Sequence, residues 1–256
     1  MKQGLSVEII KKIYRNGYDG ALEECFRRIG KGEKTAVFTP NAEMLCKASK
    51  ESAELLLSAN ILFPDGVGVH IAAMMMGYPI SERTCGIDLA QRILKRSAAE
   101  GMRVFLLGGR PGVAVSAAEK LSRKYKGLCI CGACHGYFED DHEIIRLIES
   151  SRADILFVCL GFPKQEKWIK NNLPKIHCVK LAIGLGGSLD VWSGQVKRAP
   201  RAVSDAGFEW LWRMMNQPKR LLRAPQLSLF PFLMLKDAII NRKKFSKCNE
   251  IDKFLK

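Results

Sequence analysis

The chain has 256 residues, which is enough for one large α/β domain or two small ones with a full apolar core. Its hydrophobic content of 47% and charged content of 26% are ordinary for a soluble protein. No internal repeat or low-complexity segment is present, which excludes a repeat architecture.

The net charge of +15 is unusual and is concentrated towards the C-terminus. Residues 197–256 contain 14 Lys and Arg against 5 Asp and Glu, whereas residues 1–196 contain 27 against 21. A basic segment of this kind indicates contact with nucleic acid, an anionic membrane surface or a phosphate-rich substrate. A solvated charged end is the alternative.

Segments typical of strands and helices alternate along the chain from residue 35 onward. Strands are predicted at 35–39, 61–63, 102–107, 128–134, 155–160 and 178–183. Helices are predicted at 42–59, 67–76, 88–100, 113–124, 141–150 and 164–172. This alternation predicts an α/β fold: a mostly parallel, Rossmann-like sheet with helices on both faces. The apolar segment 67–76 is predicted to be a buried helix, with an interface between subunits as its alternative use.

The pattern changes near residue 194, so we divide the chain into an α/β domain at 1–196 and a basic, amphipathic helical appendage at 197–256. Within the appendage, the mostly apolar segment 227–235 is too short to span a bilayer, which takes about 20 apolar residues. Because basic residues follow it, the segment is predicted to lie at a membrane surface. Packing on the core or on a partner subunit is the alternative.

The cysteines indicate a reducing compartment. Nine Cys are scattered along the chain, and the N-terminus has no apolar signal segment, so we expect free thiols in the cytoplasm. The cluster of Cys129, Cys131 and Cys134, followed by His135, has a spacing that matches no paired zinc knuckle. We interpret it as part of a strand rather than as a metal site.

Several loops follow predicted strands directly, at residues 39–41, 64–66, 108–112 and 184–190. In a parallel sheet these loops emerge at the same edge and can converge on a ligand. Their glycines allow the backbone to approach a phosphate, although glycine is also common in any tight turn. The strand at 155–160 leads into a helix whose first turn holds Gln165 and Glu166, where both side chains can face a ligand.

Asp65 lies between Pro and Gly directly after a predicted strand, so its carboxylate is expected to point into this cleft. Partial burial would raise its pKa and suit it to act as a general base. The alternative is a turn aspartate that caps the next helix. The chain contains no D-x-D pair, so a diphosphate here would have to be neutralised by arginines or helix N-termini.

The ordered motifs resemble those of the WecG/TagA/CpsF glycosyltransferase family across about residues 34–225. The matching pieces are FTPNAEM (38–44), PDGVGV (64–69), ERTCGIDL (82–89), FLLGG (105–109), GYF (136–138), LGFPKQEKW (160–168), GLGGSLDVWSG (184–194), KRAPR (197–201) and GFEWLWRMMNQPKRLLR (207–223). The Cys-rich strand and the segment after Pro225 depart from the family pattern.

The resemblance implies an inverting enzyme that moves N-acetylmannosamine, or a related sugar, from a UDP donor. The acceptor would be polyprenyl-diphosphate-linked N-acetylglucosamine, in the synthesis of teichoic acid or another surface polysaccharide. No metal or other cofactor is expected. The residues that match the family's catalytic pair are Asp65, as general base, and Thr39. Those that match its substrate-binding positions are Asn41, Arg83, Gly108, Gln165, Gly186, Arg213, Arg220 and Arg223.

The expected partners are the UDP-sugar, the lipid-linked acceptor and the cytoplasmic membrane surface, but not nucleic acid. We therefore expect a peripheral protein at the inner face of the cell membrane. Competing hypotheses are a nucleotide-binding oxidoreductase, a nucleic-acid-binding protein, and a non-catalytic UDP-sugar-binding partner of a surface-polymer complex. The oxidoreductase would need the G-x-G-x-x-G fingerprint, and neither that pattern nor a P-loop is present. The oligomeric state is left open.

Overall fold

The computed structural model describes residues 5–46, 49–200, 203 and 209–216. Within this part of the chain, six strands form one parallel sheet in the order β2-β1-β6-β5-β3-β4. The strands are β1 (Thr35–Phe38), β2 (Ile61–Leu62), β3 (Arg103–Gly108), β4 (Cys129–Cys134), β5 (Ile155–Cys159) and β6 (Leu181–Gly184). All six predicted strands are confirmed, although β6 begins three residues later than predicted.

Helices cover both faces of the sheet. They are α1 (Leu5–Lys12), α2 (Gly17–Gly30), α3 (Ala42–Cys46), α4 (Lys50–Leu57), α5 (Val67–Met75), α6 (Gly86–Glu100), α7 (Val113–Lys124), α8 (Asp141–Ser151), α9 (Lys164–Asn172), α10 (Ser188–Trp192) and α11 (Glu209–Asn216). One core cluster joins the sheet to α1, α3, α4, α5, α8 and α9, and the other joins it to α2, α6, α7 and α10. The predicted fold class is therefore confirmed.

Alternate residues of the central strands supply the two cores. In β5, Leu156 and Val158 belong to one cluster, whereas Ile155 and Phe157 belong to the other. All four side chains are fully buried, as expected for a parallel strand that is covered by helices on both sides.

The helix predicted at 42–59 is interrupted. Ser49 has extended backbone angles. Its hydroxyl accepts a hydrogen bond from the backbone N–H of Ser52, and the Ser52 hydroxyl accepts one from the backbone N–H of Ser49. This reciprocal capping box satisfies N–H groups at a helix start, so α4 begins as a new helix instead of continuing α3.

The prediction that 67–76 is a buried helix is wrong for one side of α5. Val69, Ala72 and Ala73 are fully buried against the core, but Ile71 and Met74 are 39% and 57% exposed. The helix is apolar on both sides, so its composition alone gave no indication of which side faces outward.

The Cys-rich segment forms strand β4, as predicted, and β4 lies at one edge of the sheet. Its pairing with β3 shifts register between Val104 and Phe105, which inserts one extra residue at Cys131. Because of this bulge, Cys131 and Cys134 pack against the same core although they are three positions apart in the strand. Among the described residues, no group of three or more His, Cys, Asp or Glu is placed to hold a metal ion.

The C-terminal predictions are only partly covered by the structure. The boundary at 196 and 197 stays a prediction, and the apolar segment 227–235 lies outside the described residues. In the part of the chain that is described, no helix has the length and apolar character needed to cross a bilayer.

Candidate active site

A cleft opens at the carboxyl edge of the sheet, where β1 and β6, the first and last strands of the described residues, are neighbours. Ligands of open α/β sheets bind at this edge. The cleft has a volume of about 290 Å³, including space open to solvent. Its lining residues are Thr39, Asp65, Cys85, Gly86, Ile87, Leu185, Gly187 and Ser188. The predicted convergence of the loops after β1, β2 and β6 is therefore present, but the loop at 108–112, which was expected to join them, does not line this cleft because β5 separates β3 from β6.

Asp65 is half-buried in this cleft and is fixed from two sides. Its backbone N–H donates to the carbonyl of Pro40 at 3.0 Å, and its Oδ1 accepts from the backbone N–H of Gly86 at 2.9 Å. Gly86 is the first residue of α6, so the carboxylate caps that helix and not α5, the next helix in the chain. The carboxylate therefore accepts from a backbone N–H at the positive end of a helix. The structure therefore shows Asp65 capping α6 rather than the next helix in the chain, and its role as a general base stays a prediction.

Thr39 forms the floor of the cleft directly after β1. Its side chain is buried, and its hydroxyl donates to the carbonyl of Gly184, at the end of β6, over 2.8 Å. The hydroxyl proton is therefore already used in a hydrogen bond within the protein. A Cβ on Gly86 would lie 2.9 Å from the Thr39 methyl group, so the glycine allows α6 to approach β1 this closely.

Arg83 lies on the segment that precedes α6, and this segment is fastened to the Asp65 loop. The backbone N–H of Gly66 donates to the carbonyl of Thr84 at 2.8 Å, and the Thr84 hydroxyl donates to the carbonyl of Pro64 at 2.6 Å. Arg83 is half-buried next to these contacts. The structure therefore holds Arg83 and Asp65 on adjoining loops, although Arg83 is not among the residues that line the cleft.

Gln165 and Glu166 are both fully buried in the described structure and do not line the cleft there, and the substrate contact expected of Gln165 stays a prediction. Gln165 Oε1 accepts from the backbone N–H groups of Gly161 at 3.2 Å and Gly186 at 2.9 Å. Its Nε2 donates to Glu166 Oε1 at 2.8 Å. Gln165 thus joins the loops that follow β5 and β6. Since the second of these loops continues into Gly187 and Ser188, Gln165 positions one wall of the cleft.

Glu166 fixes the orientation of that amide. By accepting from Nε2, it leaves Gln165 Oε1 facing the two backbone donors. Its other oxygen, Oε2, has no hydrogen-bond partner among the described residues. Burial raises the pKa of the Glu166 carboxyl, and the hydrogen bond from Gln165 only partly opposes this shift.

The other predicted glycine and asparagine positions have visible structural roles. Asn41 Oδ1 accepts from the backbone N–H of Met44 at 3.1 Å, which satisfies a donor in the first turn of α3. Gly108 has φ +134°, and a Cβ there would lie 2.3 Å from the carbonyl oxygen of Cys159, so only glycine fits where β3 and β5 end. These contacts do not test the proposed ligand contacts, which stay predictions.

Comparison with known proteins decides the family. A model of the glycosyl transferase WecG/TagA/CpsF family matches residues 8–247. This chain belongs to the WecG/TagA/CpsF family. It is 32% identical over 215 residues to an N-acetylglucosaminyldiphosphoundecaprenol N-acetyl-beta-D-mannosaminyltransferase of Bacillus spizizenii, covering 84% of this chain and 83% of the relative. It is 33% identical over 198 residues to the enzyme of that name from Bacillus subtilis, covering 75% and 77%.

One ion pair of this WecG/TagA/CpsF member was missed by sequence reasoning. Arg198 Nη2 lies 2.6 Å from Oδ2 of Asp88, in the first turn of α6, and both side chains are about two-thirds buried. The pKa of Arg198 is raised mainly by this hydrogen bond, and Glu209 at the start of α11 adds to the shift. The signal was available, since Arg198 lies in the KRAPR motif and Asp88 in ERTCGIDL.

The tail arginines of the family pattern are only partly covered by the structure. Arg213 lies in α11, but its side chain is outside the described part of the molecule. Arg220 and Arg223 lie outside the described residues altogether. The electrostatic contribution of Glu209 to the raised pKa of Arg198 nevertheless shows that these two charged groups lie near each other.

Proposed function

We propose that this chain transfers N-acetylmannosamine, or a related sugar, from a UDP donor to polyprenyl-diphosphate-linked N-acetylglucosamine. The observation that carries the proposal is Asp65, a carboxylate fixed by Gly86 at the edge of the cleft, in a chain whose relatives are named for this transfer. The polymer would be a teichoic acid or another surface polysaccharide. Thr39 supports the same cleft from its floor.

The proposed reaction is a single displacement with inversion. Asp65 takes the proton of the acceptor hydroxyl while the hydroxyl oxygen attacks the anomeric carbon of the donor. The bond between that carbon and the UDP oxygen breaks on the opposite face, and UDP leaves with the electron pair. Asp65 ends the step protonated and returns the proton to water. A positioned base of this kind contributes about 10²- to 10⁴-fold to a rate.

The leaving diphosphate develops negative charge, and we propose that protein cations balance it without a metal. Arg83 is held beside the Asp65 loop, and the N-terminus of α6 opens towards the cleft. Two donors at that helix start are already used, because Cys85 N–H donates to the Tyr18 hydroxyl at 2.7 Å and Gly86 N–H to Asp65. Most of the compensation must therefore come from arginines, including the family's tail positions Arg213, Arg220 and Arg223.

We also propose a peripheral location at the cytoplasmic face of the cell membrane. The donor is a water-soluble nucleotide sugar, whereas the acceptor is held in the bilayer by its polyprenyl chain. The basic residues of 197–256 support attraction to anionic lipid, which amounts to about 1 kcal/mol for each cation near the surface.

The test is UDP release by the purified full chain from a panel of UDP-sugars, with a polyprenyl-diphosphate N-acetylglucosamine analogue in vesicles and a metal chelator present. Acceptor-dependent release with UDP-N-acetylmannosamine or one related donor supports the proposal. Release that requires added metal would contradict the metal-free mechanism. If UDP binds but no donor is turned over, the chain is instead a non-catalytic binding partner.

A further inference from the structure

The longest uncharged stretch of the chain lies beside the catalytic aspartate. Residues 66–81 are sixteen consecutive positions without Asp, Glu, Lys or Arg, in a chain in which 26% of residues are charged. Helix α5 occupies most of this stretch and begins at Val67, two residues after Asp65. The helix therefore runs directly from the cleft.

One side of α5 is mostly apolar and carries two exposed side chains, Ile71 and Met74. The positions on this side follow helical spacing and are at least partly exposed: Val67, His70, Ile71, Met74 and Met75. We call them the α5 face. Met74 is 57% exposed, although large apolar side chains are usually covered by the fold or by a partner.

Cations border the α5 face. The guanidinium of Arg15 lies 5.5 Å from the ring centroid of Tyr78, which follows the helix by three residues. The pKa of Lys11 is raised mainly by its hydrogen bond to Glu8 and to a lesser extent by Tyr78, so Lys11 lies near the same ring. An uncharged apolar strip with an aromatic ring and cations at its border is the composition of segments that lie at a membrane interface.

We propose that the α5 face rests on an anionic bilayer surface and turns the cleft towards the lipid headgroups. The role of this contact rests on the proposed function, since a lipid-linked acceptor presents its sugar at the level of the headgroups. This contact belongs to the α/β domain and is distinct from the one expected for the tail. A two-fold contact between copies through the same face is the alternative, and the mass of the variants distinguishes it below.

The test compares two double variants of the full chain. Ile71→Glu with Met74→Glu places charge on the α5 face, while Val115→Glu with Leu147→Glu places the same charge on apolar residues of α7 and α8 that are 51% and 45% exposed. Sedimentation with vesicles of phosphatidylglycerol and phosphatidylcholine measures binding. We expect the α5 variant to bind about tenfold more weakly than wild type, and the control to bind nearly as wild type. Equal binding by both variants would overturn the proposal.

Two further measurements complete the test. Sedimentation velocity gives the mass of each variant, and a lower mass for the α5 variant alone would show an interface between copies and overturn the proposal. UDP release is then measured with a short-chain, water-soluble acceptor and with the acceptor in vesicles. The α5 variant should lose rate only with vesicles. If wild type releases no UDP with either acceptor, the proposed function fails while vesicle binding still decides the role of the α5 face.

Discussion

Replacing Gln165 tests whether the cleft wall depends on one buried amide. Gln165→Ala leaves the N–H groups of Gly161 and Gly186, and one oxygen of Glu166, without their partner. At about 1 kcal/mol for each lost hydrogen bond, the free energy of unfolding should fall by about 3 kcal/mol. Urea unfolding measures the loss. We also expect a higher KM for the UDP-sugar, because the loop through Gly186 lines the cleft one residue later.

Gln165→Glu is the matched control. It keeps the shape and an oxygen that accepts from both backbone N–H groups, but it removes the donor to Glu166 and brings two carboxyl groups together in a buried site. One of them must then hold a proton, so the variant should approach wild-type stability at acid pH and lose stability as the pH rises. If Gln165→Ala lowers the free energy of unfolding by less than about 1 kcal/mol and leaves KM unchanged, Gln165 does not hold the loops after β5 and β6 together.

Three other substitutions have outcomes that follow from single contacts. Burial raises the folded-state pKa of Glu166 above its ordinary 4.5, so the free energy of unfolding of the wild type should fall as the pH rises from that value. Glu166→Gln should lack this fall, so urea titrations should show it gaining stability relative to wild type over the same pH range. Gly108→Ala should cost about 3 kcal/mol of unfolding free energy, since its Cβ would lie 2.3 Å from the carbonyl oxygen of Cys159. Asp88→Asn should cost about 1 kcal/mol by leaving Arg198 without its countercharge, and Asp88→Asn with Arg198→Gln should restore most of that loss.

The sheet could be predicted from the sequence because its strands are continuous apolar runs that end at Gly or Pro. The stretch from Ile155 to Trp168 is the clearest case, since an apolar run followed by Pro163 predicts a strand, a turn and a helix. The predicted bounds of α9 are those observed. The orientation of Gln165 could not be predicted in the same way. Its side chain turns inward because Gly184 has no Cβ at a point 2.9 Å from Gln165 Nε2, and that space is created by β6, which lies later in the chain.

Two other differences have similar causes. The spacing of apolar residues over 42–59 continues without a break and therefore predicts one helix. The capping pair that starts α4, Ser49 and Ser52, is nevertheless present in the sequence. The exposure of Met74 depends on how far α1 and α3 cover α5, and the composition of α5 does not predict that packing. The ion pair of Asp88 and Arg198 likewise joins residues 110 positions apart.

The most direct test of the central claim is Asp65→Asn in the full chain. Asparagine keeps an oxygen that can accept from Gly86, so the start of α6 should be preserved while the base is removed. We predict that acceptor-dependent UDP release falls by about 10²- to 10⁴-fold while the Kd for UDP stays near that of wild type. Turnover within about tenfold of wild type, with UDP binding retained, would show that Asp65 is not the base.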